Sequence, residues 1–355
     1  MALTRAFLNG VNYDDVNNLT KPIIINGDMN ISQRYTSKTS ITSGTKLADR
    51  WTLNIGSSGT HTYSQGTGPG TFGLTKCIKL DTTSANNSGS DADANMYIST
   101  ALEGHDVQLF RKGTSDAKAF TISFFVRSNV TGTGVLEFWD RDNDRHICKT
   151  YTIDSADTWE RKVINYDMET SNAFTDDVNK SVNIDWWIES GSDFDSGTLA
   201  TSWASRTDAN RAVGQTLNIA SSTDNEFLLT GCMIVPGTFD SETIPDYPIE
   251  TTEQNLARCQ RYFELITGSR SQFSRYSSAA YPNPFFFRVN KRANPTISKD
   301  EANFTLFYNN GYDTSVTWNS DIMDVEQFTI YMSSTRDYGF IGPDETKPFK
   351  ADSEL

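Results

Sequence analysis

Histidine is scarce in this chain: His61, His105 and His146 are the only three among 355 residues. None stands in an HExxH pair or beside a GxSxG serine, so neither a metalloprotease helix nor a hydrolase elbow is written here. A serine or cysteine nucleophile needs a base to take its proton, and no motif marks one. Cysteine is sparse too. Cys77, Cys148, Cys232 and Cys259 lie far apart with no CxxC pair, which excludes a zinc ribbon and thioredoxin-type chemistry. They read as buried, reduced thiols. No run approaches the ~20 apolar residues of a membrane-spanning helix. The opening MALTRAFLNGVNYDD has no basic flank leading into an apolar core, so no secretory signal is expected and synthesis belongs in a cytosol.

Positive charge is also in short supply. Lys and Arg number 31 against 45 Asp and Glu, a net charge of −14, and the densest basic group is Arg288, Lys291 and Arg292. A protein that grips phosphates needs a clustered cationic face, so a nucleic-acid partner is excluded.

What is present is strand signal. Phe120, Ile122, Phe124 and Val126 alternate along one stretch, which puts them on one face of a strand. Further strand-like runs occur at 23–31, 135–139, 162–166, 182–188, 216–220 and 227–235, separated by Gly-, Ser- and Asn-rich turns. Many short strands with long polar connections predict an antiparallel jelly-roll β-sandwich. One helix is predicted from Thr251, where Thr251 and Gln254 form a capping-box pattern, through Leu256, Cys259, Phe263 and Ile266 to a cap at Gly268. Strands resume at 284–290, 296–298, 304–308, 315–318 and 328–333. The fold class is therefore all-β, in three parts: an extended arm over 1–21, a jelly-roll domain over 22–247, and a smaller C-terminal domain of one helix plus strands over 248–355. Pro245 and Pro248 mark the boundary.

Several segments in order resemble a family of tailed-phage virion proteins of the tail-fibre type with a carbohydrate-binding-module-like domain. Ile25-Asn-Gly-Asp-Met-Asn-Ile-Ser-Gln-Arg, followed by Ala48-Asp-Arg-Trp51, is similar to that family's opening. Leu102-Glu-Gly-His and Gly113-Thr-Ser-Asp-Ala-Lys, running into Phe120-Thr-Ile-Ser-Phe-Phe-Val-Arg-Ser128, resemble its centre. Leu256-Ala-Arg-Cys-Gln-Arg-Tyr-Phe263, Ala293-Asn-Pro-Thr296 and Ala351-Asp-Ser-Glu-Leu355 resemble its close. Phe125 stands where the family often has Trp, and Met233-Ile-Val-Pro236 replaces an acidic strand. The resemblance implies a virion protein made in the host cytoplasm, a homotrimer, other virion proteins as partners, and attachment to host-surface glycan or subunit assembly. Its alternatives are a capsid decoration or head-fibre protein and, in another class, a glycan depolymerase.

Among individual sites, aromatics in polar surroundings suit sugar stacking or subunit contact. Trp203, Tyr276 and Tyr281 fit that description, whereas Trp51, Trp139, Trp159 and Trp186 read as sandwich core. Asp140, Asp142 and Asp144 carry the alternating oxygens that open a calcium loop. Arg145 and Tyr151 stand where its Gly and Glu belong, so calcium is the one cofactor candidate and half of its ligand set is missing. Asp91-Ala-Asp-Ala-Asn95 is a similar fragment. Gly68-Pro-Gly-Thr-Phe-Gly73 fits GxGxxG but has no strand-turn-helix context, so it reads as a turn. No catalytic residue is assigned, and the chain is expected not to be an enzyme.

Overall fold

The structure, a computed structural model, describes residues 22–86, 91–267, 271–276, 279–298, 304–308, 311–316, 318–333, 338–342 and 348–355. The arm over 1–21 and Gly268 lie outside these. The chain divides into two compact units, Met1–Thr252 and Glu253–Leu355.

Among its described residues the first unit holds twelve strands: β1 (Ser37–Ile41), β2 (Trp51–Gly56), β3 (Thr60–Thr67), β4 (Lys76–Ser84), β5 (Asn95–Glu103), β6 (Phe120–Ser128), β7 (Gly132–Asp140), β8 (Arg145–Ile153), β9 (Glu160–Tyr166), β10 (Lys180–Ser190), β11 (Ala204–Ser205) and β12 (Glu226–Pro236). They form two six-stranded antiparallel sheets, in the orders β1-β3-β4-β12-β6-β9 and β11-β8-β7-β10-β5-β2. This is the expected all-β, jelly-roll-type sandwich. The alternation that predicted β6 holds: Phe120, Ile122, Phe124 and Val126 are all fully buried between the sheets. Across the layer, Phe124 stands edge-on to Trp186 at 5.8 Å; within the sheets, Trp51 meets Trp186 with ring centroids 5.3 Å apart and Phe120 stacks on its ladder partner Tyr166 at 5.0 Å. Aromatic pairs of this kind add to what burial alone contributes.

Two predicted strands are not strands. Residues 23–31 form a buried turn, because Asn26 (φ 56°) and Met29 (φ 59°) adopt left-handed backbone that ends any ladder. The Asn26 side chain takes the place of a partner strand. Its amide donates to the carbonyls of Ile31 and Asp49, both at 2.8 Å, and its oxygen accepts from Ile31 N at 2.9 Å. Residues 216–220 run as coil into a 3-10 turn, Ile219–Ser221, whose Ile219 and Ala220 are buried without sheet pairing.

In the second unit, helix α3 (Thr252–Gln260) is shorter than its periodicity suggests. (Helices α1, Gly104–Val107, and α2, Ser192–Asp195, are single turns of the first unit.) Phe263 and Ile266 leave the helical pattern because they belong to β13 (Phe263–Ile266), which pairs with a strand near the chain end. The other strands are β14 (Ser271–Tyr276), β15 (Ala279–Pro282), β16 (Phe285–Phe286), β17 (Thr296–Ser298), β18 (Phe304–Tyr308), β19 (Gly311–Val316), β20 (Trp318–Met323), β21 (Gln327–Ser333), β22 (Tyr338–Gly342) and β23 (Phe349–Asp352). The run predicted over 284–290 contracts to the two residues of β16. One sheet is ordered β13-β23-β17; the other has eight strands. Phe285, Phe328 and Phe349 pack together with centroids 5.2–5.4 Å apart.

Candidate functional site

The outer face of the sheet β11-β8-β7-β10-β5-β2 carries polar residues together with Tyr97, Trp139 and Trp187. Strand alternation sends Leu136 and Phe138 of β7, and Ile184, Trp186 and Ile188 of β10, into the core. The residues between them face outward. Ladder register then builds rungs: Thr52, Ser99, Asp185, Glu137 and Cys148 share one. Asn54, Tyr97, Trp187, Val135 and Thr150 share the next.

The β7–β8 half of this face is closed by the chain itself. Ala200 and Ala212 pack with Val135, Cys148 and Trp187, and Cys148 N donates to Ala200 O at 2.7 Å. Glu137 is the hub beneath this cover and is fully buried. It accepts from His146 Nδ1 (2.9 Å), Trp187 Nε1 (3.1 Å) and Arg211 Nε (2.9 Å), with Arg206 Nε at 3.5 Å. Burial alone pushes a carboxyl up. Here the charge of Arg211, the His146 hydrogen bond and Arg206 overcome it, and Glu137 is held well below the usual range. Arg211 also lies over the rings of Trp187 (4.5 Å) and Tyr97 (5.1 Å), which stack on each other at 4.5 Å.

Glu137, His146 and Cys148 offer ligand atoms within 4.8 Å of one another, the one such trio among the described residues. Two features oppose a metal there. The carboxylate is already occupied by two guanidinium groups, and burial together with the Glu137 charge keeps the Cys148 thiol protonated. A thiol binds metal as thiolate. The trio is a structural hub.

The β2–β5 half of the face is more open. Thr52, Asn54, Tyr97 and Asn183 are half-buried, beside Lys46, Lys180 and the exposed Arg141. Ser99 donates its hydroxyl to Asp185 Oδ1, and Asn183 Nδ2 donates to Ser99 Oγ at 2.8 Å. The Asn183 amide oxygen has no hydrogen-bond partner among the described residues.

Trp203 is half-buried at the edge of the core. It stands edge-on to Phe138 at 5.9 Å, its Nε1 donates to Asp167 O at 2.8 Å, and the Lys112 ammonium lies 4.8 Å from its ring centroid. Its ring is thus already engaged by its own chain. Tyr276 and Tyr281 sit on the β14–β15 hairpin, paired with Ala279 and Ser274; their side chains lie outside the described residues. Trp51 and Trp186 are core residues as expected. Trp139 and Trp159 are only half-buried, and Trp139 is flanked by the guanidinium groups of Arg141 (3.8 Å) and Arg206 (3.7 Å).

The three aspartates of the β7–β8 turn are not brought together around one point. Asp140 Oδ2 takes Lys112 Nζ (2.8 Å) while its Oδ1 takes Asp142 N (2.9 Å). Asp142 takes Thr175 N (2.8 Å), and Asp144 takes Trp139 Nε1 (3.2 Å). The Lys112 ammonium sits where a calcium ion would meet Asp140. Asp93, in the second acidic fragment, accepts from Ser57. In the glycine-rich segment, Gly68 and Gly70 donate their amides to Thr75 and Leu74 of the same hairpin, which leaves no phosphate cradle.

Glu137, Asp185, Arg211 and Lys112 stand in no sequence motif. The first two alternate with core residues along β7 and β10, and that was their only signal; nothing local announces the arginine that joins them.

No family model matches this chain, and no curated protein matches it. Among solved structures it is similar to the enzymatically active domain of tailspike protein 4 of bacteriophage CBA120, at 10% identity and TM-score 0.30. That match covers 56% of this chain and 21% of the other, so the chain spans about a fifth of the tailspike domain's length. It is also similar to a carbohydrate-binding module of family 4 (10% identity, TM-score 0.31, 60% of this chain and 99% of that one). A third is the family 11 carbohydrate-binding module from Clostridium thermocellum in complex with a beta-1,3-1,4-mixed-linked tetrasaccharide, at 11% identity and TM-score 0.29, covering 57% of this chain and 97% of that one.

Proposed function

We propose that this chain is a non-enzymatic structural protein of a tailed-phage virion, a tail-fibre-type appendage whose sandwich attaches to host-surface glycan. The observation that carries the reading is the division of one sheet face. Its β7–β8 half is sealed by the chain, while its β2–β5 half leaves Thr52, Asn54, Tyr97 and Asn183 partly reachable. Hydroxyls, amides and an aromatic ring on one shelf are the groups that bind sugars. The ordered motifs add a virion location and a homotrimer, both as implications of the resemblance.

The same face argues against depolymerase activity. Glu137 and Asp185 are directly opposed on β7 and β10, the sort of carboxylate pair that cleaves glycosides. Both are buried, and the Arg211 guanidinium occupies them. A substrate cannot reach them without removing the cover over β7 and β8.

The test is labelled protein incubated with host cells and, separately, with undecorated capsids of the same phage. Binding to cells that falls when host polysaccharide is added supports attachment. Binding to capsids alone overturns it in favour of a decoration protein. Release of reducing ends from that polysaccharide overturns the non-enzymatic reading.

A further inference from the structure

The ladder between β10 and β5 shifts register between Lys180 and Val182. Val182 is a core residue, so regular alternation would also send Lys180 inward. The shift pairs Lys180 with Glu103 instead and turns it toward the outer face, beside Asn183 and Asp185. Bulges commonly re-aim one side chain in this way near functional surfaces.

Cations gather there in a chain whose net charge is −14. Arg141 N donates to Ser181 O at 2.8 Å, which places Arg141 next to Lys180, and its guanidinium lies over Trp139. Lys46, bridged to the edge strand β2, donates to its Thr52 Oγ1 at 3.1 Å, and Arg50 donates to Ala101 O at 2.7 Å. Among the described residues, the Lys180 ammonium makes no hydrogen bond or ion pair. Burial, with the charges of Arg141, Lys46 and Arg50 set against that of Asp185, pulls Lys180 down to about 8. An incoming anion would relieve that repulsion. The shelf also has an unused acceptor, the buried amide oxygen of Asn183.

We infer that the β2–β5 half of this face, centred on Lys180, Arg141 and Asn183, binds an anionic saccharide. The inference rests on the glycan-attachment reading and narrows it. The acidic group would meet Lys180 and Arg141, with Lys46 adding charge at the rim. The neighbouring hydroxyls would meet Thr52, Asn54 and the exposed part of the Asn183 side chain. Long-range attraction cannot produce this binding, because the whole protein repels polyanions; only the local patch can.

The experiment is affinity electrophoresis of the full chain through gels containing polygalacturonate, dextran sulfate or neutral dextran. Retardation by a charged polymer, absent with dextran and fading as salt rises, is the expected result. Lys180→Met and Arg141→Ala should each weaken it about tenfold, the loss of one ionic contact worth about 1.4 kcal/mol. Lys180→Arg should retain it. Lys180→Met removes a half-buried charge, so an unchanged urea midpoint is the control for folding. Retardation insensitive to both substitutions, equal retention by dextran, or no retention at all overturns the site. Host-cell binding combined with any of those results leaves the attachment reading standing and removes only this narrowing. Failure on host cells removes the attachment reading, whatever the gels show.

Discussion

Glu137 and Asp185 are direct partners across the β7–β10 ladder, yet the fold drives their acidities in opposite directions. Glu137 collects Arg211, Arg206, His146 and Trp187 and is held ionised. Asp185 is pushed up by burial and by the Glu137 charge, and Arg211, Ser99 and Asn183 offset only part of this. One carboxylate is thereby made the permanent anion of a sealed hub.

Removing that anion should be costly. Glu137→Gln leaves the Arg211 and Arg206 guanidinium groups with only the more distant Asp185 and the exposed Asp208 as countercharges, a loss approaching the roughly 3–5 kcal/mol that follows when one member of a buried pair goes. A urea titration followed through the sandwich tryptophans should show a lower midpoint, and proteases should cut more readily within residues 192–212. Adding Arg211→Met should recover part of the loss, because the stranded charge goes with it. An unchanged midpoint in Glu137→Gln would mean that the hub does not hold the cover.

Glu189 gives the chain a pH dependence of opposite sign to that of Glu137. Burial raises its carboxyl to about 7, with a Ser58 hydrogen bond opposing only part of the shift. The folded value lies above the unfolded one, so the fold favours the protonated form. Its stabilisation is complete below the ordinary carboxylate value and is lost as pH rises from there toward 7. The shift is worth about 3 kcal/mol at 1.36 kcal/mol per unit. Glu137 is depressed, so its contribution is present above its ordinary value and lost on acidification. Glu189→Gln should therefore flatten the decline in stability between pH 5 and 7.5, measured as urea midpoints, and leave the acid limb unchanged.

The opening motif should prove structural when it is mutated. Asn26 makes three buried hydrogen bonds from left-handed backbone, and Trp51 Nε1 donates to Asn26 O at 3.0 Å. Gly27 has no room: a Cβ there would stand 2.1 Å from Cys232 O. Asn26→Ala should cost about 3 kcal/mol, at roughly 1 kcal/mol per lost bond. Gly27→Ala should cost more, because backbone must move. Both are read as lower thermal midpoints. Retained stability in Gly27→Ala would show that the β12 backbone gives way easily.

Those motifs also show what was legible in the sequence. The strands of the sandwich could be read because their alternation is local. The segments that carried the family resemblance meet in space: Asp49 accepts from Gln33 and Arg34 lies 3.9 Å from it, while Trp51 donates to Asn26. In the second unit Arg292 donates to Arg261 O and to Ser353 O, and Ser353 N donates to Tyr262 O. The matched residues thus hold the fold together. They carried the architecture and pointed to no ligand. Phe263 and Ile266 misled because their spacing is helical while their partners, Asp352 and Phe349, lie far away near the chain end. The Glu137 hub was invisible for the same reason: its residues come from three distant segments.

The four cysteines should behave as sealed thiols. Cys77, Cys148, Cys232 and Cys259 are free and buried; burial raises Cys77 to about 12 and lifts the Cys148 and Cys232 thiols well above their ordinary value. Reaction requires thiolate and access. Ellman's reagent should find almost no reactive thiol in the native protein at pH 8 and four after denaturation, without added reductant. Fewer than four would reveal a disulfide.

The β7–β8 turn sets the last test. Lys112 is fully buried and pairs with Asp140 at 2.8 Å and Glu169 at 3.1 Å. It also donates to the Asn172 carbonyl and lies over the rings of Phe174 and Trp203. An ammonium with this many partners already supplies the charge that a calcium ion would bring, and calcium needs six or more oxygens around one centre. Millimolar calcium should therefore leave the thermal midpoint of the native protein unchanged, and chelator should do the same. Lys112→Met should lower it by an amount equivalent to about 3–5 kcal/mol, since Asp140 would be left as a buried, uncompensated anion. If calcium raised the midpoint of the native protein, Asp140, Asp142 and Asp144 would have to leave their present donors to reach it, and the ammonium-centred account of this turn would be wrong.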